Sequence, residues 1–505
     1  MKELADLIDY VSPKRLMSLS YFFRRGARRQ KTHADRLYDA VVKKKIDSDK
    51  EASKRLFGVS GSSHYYKVKF ELKQQLLNSV LLVENDQKEL GTFFEVFIQC
   101  RKELYAAEVL FVEGHILASV DILKKLLSRA IEAELTDIII PVLYYLKTYS
   151  LSIMPDPVAC QRYQALERKW IRIRTAEEVV DELYTDLAVN YVKTAAPPPD
   201  TIYTALNKLN NIHDLYKDIR TARYIYKYYF ILYMTYDSQG HYREGIEISW
   251  KAVRSLSKGD YVPRGFIRSM LLQIIDASIR LRALNDGQRA VIQSLRLVEE
   301  GERDWFRINQ LYLYLCIRSD EYSTAIKTIN RMFDHRKFKK LPGEFKERYY
   351  LLRAYVSWLI ESKSIDVKGE PLNSFRIGRF INDVPRFSKD KMGMNVPVLI
   401  IQVLWLLQRK NYEVARGRLD SLKRYSLKYL STNKGMLRTY YFIRVLTQLS
   451  NANFHRAAFV RKAASFYRLL REQPSTASLQ SVEVEIVPYE DMYEYALNIL
   501  DNKIH

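Results

Sequence analysis

The sequence predicts an all-α protein, an α-solenoid of irregular helical hairpins with a small helical domain at its amino end. Three observations carry this. Apolar residues recur three and four apart in window after window, while alternating strand patterns are nearly absent. The 505 residues include only 17 Gly and 14 Pro, few enough to leave long helices uninterrupted. A short corner pattern also returns along the chain, the mark of stacked units.

At the amino end, Ser12 and Pro13 form an N-cap and first-turn pair that opens a helix to about Arg25, and Gly26 breaks it. THADRLYDAVVKKK (32–45) and SDKEASKRLFG (48–58) continue as short helices, the second framed by a capping box from Ser48 to Glu51 and a stop at Gly58. A longer helix runs from about His64 to Val83. The chain divides accordingly: 1–88 a basic helical head, 89–194 a first set of hairpins, the Pro-rich AAPPPD (195–200) a linker, 201–474 the main array, and 475–505 an acidic capping segment. Only SVEVEIV (481–487) alternates as a strand would. The most apolar windows, IIIPVLYYLKTYSLSIM (138–154) and VPVLIIQVLWLL (396–407), read as buried helices. Lys147 and hydroxyls interrupt the first, and the second is too short to cross a bilayer.

The corner is an aromatic followed three residues later by Ala or Gly: Tyr242 with Gly245, Tyr322 with Ala325, Tyr412 with Ala415, Phe454 with Ala457. A small residue lets one helix approach its neighbour, and the aromatic covers the place where the two diverge. Gly114 and Ser119 stand at the separation of Gly240 and Gly245, so the same corner is expected there. One hairpin cannot hide both of its apolar faces, whereas stacked neighbours can. The triplet Asp237, His241 and Glu244 falls at such a corner and reads as helix punctuation on the surface, not as an acid and base held in a pocket.

The unit around Gly245 resembles the tetratricopeptide repeat, with Leu232, Tyr236, Gly240 and Ala252 at that family's leucine, tyrosine, glycine and alanine positions. Other units depart from it: Cys316 and Asp320 replace the tyrosine and glycine around Ala325, while around Ala290 only that residue and Leu281 match. The chain as a whole, with LADLIDYV, YFF, LYDAV and LLNSVLLV, is also similar to a set of uncharacterised bacterial proteins that join a small helical head to a tetratricopeptide-like body. These resemblances imply a right-handed solenoid and no activity. They also imply that Lys227, Phe230 and Met234, with Arg307, Gln310, Tyr314 and Arg318, line a groove that takes a protein or peptide.

Charge narrows the partner. The chain carries a formal +22, with 15 Lys/Arg against 8 Asp/Glu in residues 1–60 and one Lys against six acids in residues 479–505. Such a field draws acidic surfaces, so the expected partner is an acidic protein or peptide. The run FFRRGARRQK (22–31) offers Arg24, Arg25, Arg28, Arg29 and Lys31 to phosphates and makes RNA the alternative partner. HRKFKKLPGEFKER (335–348) reads as a solvated connector broken at Pro342 and Gly343. The 37 tyrosines at helical spacing are expected to fill the seams between hairpins.

Several classes are not indicated. There is no phosphate-binding glycine loop, nucleophile elbow or zinc-protease motif, so no enzyme and no cofactor are expected. Cys100, Cys160 and Cys316 lie far apart without a C-x-x-C, which points to neither a disulfide framework nor a metal and fits a reducing compartment. The first residues lack the basic and apolar run of a secretory signal, so the cytoplasm is the expected location and membrane insertion is not. The reading is a non-enzymatic scaffold or adaptor, followed by an RNA- or ribonucleoprotein-binding protein and, third, a transcriptional regulator whose head touches DNA.

Overall fold

A computed structural model of the chain describes residues 2–10, 32–43, 46, 48–82, 91–194, 199–363, 371–372, 395–430, 436–473 and 484–501. The helix from Ser12, the Gly26 break and most of the proline linker lie outside them. The chain falls into two compact units, Met1–Leu123 and Lys124–His505. Among the described residues the secondary structure is entirely helical.

The first unit opens with α1 (Lys2–Tyr10), α2 (His33–Val42), α3 (Asp49–Phe57) and α4 (Ser63–Leu82). They enclose a core of Leu4, Ile8, Leu37, Val41, Ala52, Tyr65, Val68, Leu72 and Leu76. A complete capping box closes the start of α2, where Thr32 accepts from the Asp35 amide and the Asp35 carboxylate accepts from the Thr32 amide. The expected cap of α3 is present in its first half, the Ser48 hydroxyl accepting from the Glu51 amide, and Gly58 ends the helix at φ +76°. The helices α5 (Gly91–Val112) and α6 (Ile116–Glu132) meet at the Gly114 corner. There the Ser119 hydroxyl donates to the Ala107 carbonyl at 2.7 Å, so a small residue brings the helix backbones close, as its position predicts.

The second unit continues through α7 (Thr136–Thr148), a π-helical turn (Tyr149–Ile153), α8 (Pro157–Thr194) and α9 (Pro199–Tyr216). Hairpins follow: α10 (Ala222–Ser238) with α11 (Tyr242–Leu256), α12 (Arg264–Leu281) with α13 (Leu284–Leu295), and α14 (Arg303–Arg318) with α15 (Tyr322–Asp334). Next come α16 (Gly343–Lys363), α17 (Asn395–Gln408) with α18 (Tyr412–Tyr429), α19 (Leu437–Asn451) with α20 (Arg456–Glu472), and α21 (Tyr489–Asp501). From α10 to α15 each helix packs on the next, and the first helices of successive hairpins, α10, α12, α14 and α16, also touch in turn. That is the packing of a helical repeat.

One backbone device makes the corners. A residue one or two places past each first helix is left-handed, and the next amide donates to a carbonyl five residues back: His241 to Tyr236, Ala283 to Ser278, Glu321 to Cys316, Asn411 to Leu406. Gly240 fills the left-handed place once, while Arg282, Asp320 and Lys410 fill it elsewhere. Four residues further, the amides of Gly245, Gly287, Ala325 and Ala415 close the first turn of the second helix. The small residue at the corner of the α12 and α13 hairpin is therefore Gly287, not Ala290. A Cβ on Gly287 would lie 2.4 Å from Leu315 and 2.9 Å from Ser278. The Phe454 and Ala457 pair departs from the pattern as well: two residues, Asn453 and Phe454, are left-handed there, and Ala457 is exposed while Phe459 packs inward.

Of the two apolar windows, the second is buried from Val396 to Leu404 except at half-buried Leu399. The first buries Ile138, Ile139, Val142, Leu143 and Leu146 within α7, but Tyr144 is exposed, and beyond α7 the π-helical turn leaves Leu151, Ile153 and Met154 exposed. No helix among the described residues is long and apolar enough to cross a membrane. Of the segment expected as a strand, 481–483 lie outside the described residues, and Val484–Val487 form a turn whose apolar side chains are buried. Tyr314, Tyr349, Tyr355 and Tyr489 are fully buried among the hairpins, as expected, and Tyr65 in the core of the first unit, whereas Tyr66, Tyr105, Tyr144, Tyr203, Tyr412 and Tyr429 are exposed.

Candidate functional site

The face made by the first helices of the second unit divides into two parts. Its helix ends toward Arg282 and Arg318 are covered by the chain's own residues 484–501. Arg438 on α19 donates from Nε and Nη2 to the Glu485 carboxylate at 2.8 to 3.1 Å and bonds Glu490 as well. Arg318 donates to the Glu485 main-chain oxygen, and Arg282 reaches Asp491 at 2.9 Å. Aromatic contacts complete the seat: Tyr489 stacks on Phe442 at 4.2 Å, Tyr495 meets Trp358 edge to face, and Tyr493 stacks on Tyr467. Burial alone would pull the Arg438 guanidinium down, but Glu485 and Glu490 outweigh it and hold it above the ordinary arginine range. For Arg318, burial wins and lowers it.

The other part lies at the amino-terminal halves of α10, α12, α14 and α16, with the carboxy-terminal half of α8 beside α10, and forms a ladder of basic and aromatic side chains. Between α8 and α10, the Lys227 ammonium sits 3.5 Å above the Tyr184 ring and 2.8 Å from Asp181, and Tyr184 meets Phe230 edge to face. Between α10 and α12, Tyr226 and Phe266 stack at 4.3 Å, and the Tyr226 hydroxyl donates to Ser269. Arg268 on α12 pairs with Asp304 on α14 at 2.6 Å. Between α14 and α16, the Arg303 guanidinium lies 4.8 Å from the Phe345 centroid, beside a cleft lined by Arg303, Asp304, Arg307, Phe345 and Arg348.

The residues expected to line a groove thus separate. Lys227, Phe230 and Arg307 belong to the ladder and are partly exposed, with Arg307 donating to the Gln310 side-chain oxygen at 3.0 Å. Gln310 and Tyr314 are 1% exposed, Arg318 6% and Met234 8%, all within the fold. These four helix positions do point inward, into packing that this chain itself supplies. Arg24, Arg25, Arg28, Arg29 and Lys31 lie outside the described residues.

Arg303, Phe345 and Arg348 are site residues that the sequence reading misses. The stretch 335–348, expected as a solvated connector, instead folds into a 3-10 turn (Phe338–Lys340) and the first turns of α16, with Phe338 buried against Phe333 at 4.4 Å. Its signal is visible as Phe345 and Arg348 three apart, the spacing of one helix face, behind a Pro-Gly start.

The Asp237, His241 and Glu244 corner keeps its residues apart. His241 and Glu244 are exposed, while Asp237 is only half-exposed and turns toward Tyr233, whose hydroxyl donates to it at 3.4 Å. Arg280, paired with Asp276 at 3.0 Å and over the Tyr242 ring, shares that pocket. Burial raises the Asp237 carboxyl to about 6, with Arg280 opposing and Asp276 adding to the rise. The expectation of a fully solvated corner therefore fails for Asp237: the second hairpin packs over it. Comparison of the chain with family models, with curated proteins and with solved structures returns no match.

Proposed function

We propose that the chain is a tetratricopeptide-like adaptor without a reaction of its own, which holds an acidic segment of a partner protein on the first-helix face of its second unit. The supporting observation is the seating of residues 484–501 on that face. Here an acidic, tyrosine-rich segment is held by arginines from α12, α14 and α19 and by aromatic stacking. The ladder upstream repeats this chemistry, with Lys227 over Tyr184 and Arg303 over Phe345 on either side of the Tyr226 and Phe266 stack. Aromatic and guanidinium side chains are the usual anchors of a binding surface, and a basic face selects acidic partners.

The test is capture of bound proteins from native cells with nuclease present, followed by rebinding of each purified candidate to wild type and to a Lys227→Glu, Arg307→Glu variant. Direct binding by a protein that the double variant loses supports the adaptor. Retention only while nucleic acid survives would instead favour the RNA reading, and direct binding unaffected by the variant would remove the ladder from consideration.

A further inference from the structure

The apolar window 138–154 does not end in the core. Beyond α7, the π-helical turn and the first turn of α8 hold Leu151, Ile153, Met154 and Val158 at 65%, 47%, 63% and 78% exposure, four large apolar side chains within eight residues. The backbone beneath them is fixed. The Met154 amide donates to the Tyr149 carbonyl at 3.0 Å and the Asp156 amide to the Ser150 carbonyl at 2.9 Å. The Asp156 carboxylate caps α8, accepting from the amides of Val158 and Ala159 at 3.1 and 2.9 Å. Behind the turn α7 packs along α8, and Lys147 pairs with Glu167. The four side chains are thus held outward by a built turn. Single exposed apolar residues need no explanation, whereas a contiguous group marks a contact.

The surroundings of this tip indicate a lipid surface. Arg162 and Lys169 fall on the same side of α8 as Val158, four and eleven residues on, and Arg168 stands beside Lys169. All three are exposed, and none is ion-paired among the described residues. The nearby acids are already engaged, Glu167 by Lys147 and Asp156 by the start of α8. The uncompensated charge is therefore positive, opposite to that of an anionic headgroup layer. Tyr149 and Tyr163 are half-buried beside the tip and Tyr144 is exposed on α7; tyrosines favour the boundary between headgroups and acyl chains. Depth agrees as well. At 1.5 Å per residue, Arg162 and Tyr163 stand about 6–8 Å along α8 from Val158, and interfacial segments bury their apolar face by about 5–10 Å. An apolar pocket on a protein would accept the tip but would not call for the tyrosines and cations behind it.

We propose that residues 151–158 form a membrane-contact tip, sinking Leu151, Ile153, Met154 and Val158 into the interface of an anionic bilayer while Arg162, Arg168 and Lys169 meet its headgroups. This is a contact with one leaflet and needs no membrane-crossing helix. It stands independently of the adaptor reading, since the tip lies outside the ladder.

The experiment floats full-length protein with vesicles of phosphatidylcholine alone and of phosphatidylcholine with a third phosphatidylserine. Wild type is compared with Leu151→Ser, Met154→Ser, which leaves the net charge unchanged, and with Arg162→Glu, Lys169→Glu; thermal midpoints check folding. Wild type should bind the anionic vesicles at least about tenfold better than the neutral ones, and each double variant should lose at least about tenfold. Undiminished binding by the serine variant would reduce the effect to adsorption of a +22 chain and overturn the tip. Undiminished binding by the glutamate variant would refute the headgroup contact. Binding to neither vesicle would overturn the proposal outright; a change in sedimentation of the serine variant would then assign the face to a second copy, and loss of a bound protein to a protein partner. If the serine variant unfolds, Met154→Trp replaces it. Its added fluorescence should be quenched by brominated lipid in the anionic vesicles, and emission indifferent to that lipid would refute insertion.

Discussion

Arg438 and Glu485 form an ion pair in which both side chains are almost sealed from water, 3% and 4% exposed, although 47 residues separate them in the chain. The pair joins α19 to the turn before α21, and Glu485 also accepts the Tyr489 amide at 3.1 Å, starting that helix. A buried charge without its partner costs far more than the pair contributes. Glu485→Ala leaves Arg438 only the partly exposed Glu490 as an acidic partner and should therefore destabilise the second unit by about 3 kcal/mol, and Arg438→Met, Glu485→Leu together should recover most of that. Urea unfolding of the three proteins measures it, and a double variant as unstable as Glu485→Ala would refute the account.

Gly287 and Gly417 make opposite predictions from the same substitution. Both sit in helices, α13 and α18. A Cβ at Gly287 meets Leu315 at 2.4 Å and Ser278 at 2.9 Å, whereas a Cβ at Gly417 meets nothing within 4 Å. Gly287→Ala should cost about 1–3 kcal/mol through overpacking. Gly417→Ala should stabilise by roughly 0.5–1 kcal/mol, because alanine loses less backbone freedom in a helix. Thermal unfolding distinguishes them by the sign of the change in midpoint.

The corners explain how far the sequence could be read. The all-helical fold and the hairpins α10 with α11, α14 with α15 and α17 with α18 follow from periodicity and from Tyr242, Tyr322 and Tyr412 at the corners. The register of the α12 and α13 hairpin does not, because Leu284 stands three residues before Gly287 where Tyr242, Tyr322 and Tyr412 mark the other corners, and the left-handed Arg282 leaves no trace in composition. The cover over Arg318 is illegible for another reason. Residues 484–501 meet α14 from 167 residues away at the Arg318 contact, and no local pattern reports a contact of that range. The ladder is half legible: Lys227, Phe230 and Arg307 come from their helix positions, while Arg303, Phe345 and Arg348 escape notice, the last two inside a stretch whose charge hides the start of α16.

The left-handed corners carry a measurable cost of their own. Lys410 holds φ +54° and is exposed, so its side chain contributes little to offset the strain. Lys410→Gly should stabilise the protein by about 0.5–1 kcal/mol, since glycine adopts that conformation without a Cβ clash. The same change at Asp320 should gain less, because Asp320 accepts a hydrogen bond from the Tyr322 hydroxyl at 2.7 Å. Equal effects at the two sites in a denaturant titration would show that strain alone sets the corner energetics.

Asp237 gives the corner a pH dependence whose sign follows from its surroundings. Burial raises its carboxyl from 3.8 to about 6; Arg280 and the Tyr233 hydroxyl favour the ionised form, and Asp276 opposes it. The folded state therefore keeps a proton that the unfolded chain has already released, so this group's contribution to stability falls as pH rises from about 4 to about 6, then levels off. Asp237→Asn removes that slope. The variant should match wild type near pH 4 and exceed it above pH 7 by about 1–2 kcal/mol, less than the full shift implies because the carboxylate is partly reached by water. Urea midpoints at pH 4, 5.5 and 7.5 measure the difference. A variant less stable than wild type at pH 7.5 would mean that the ionised Asp237, through Arg280, holds the two hairpins together more strongly than its burial weakens them.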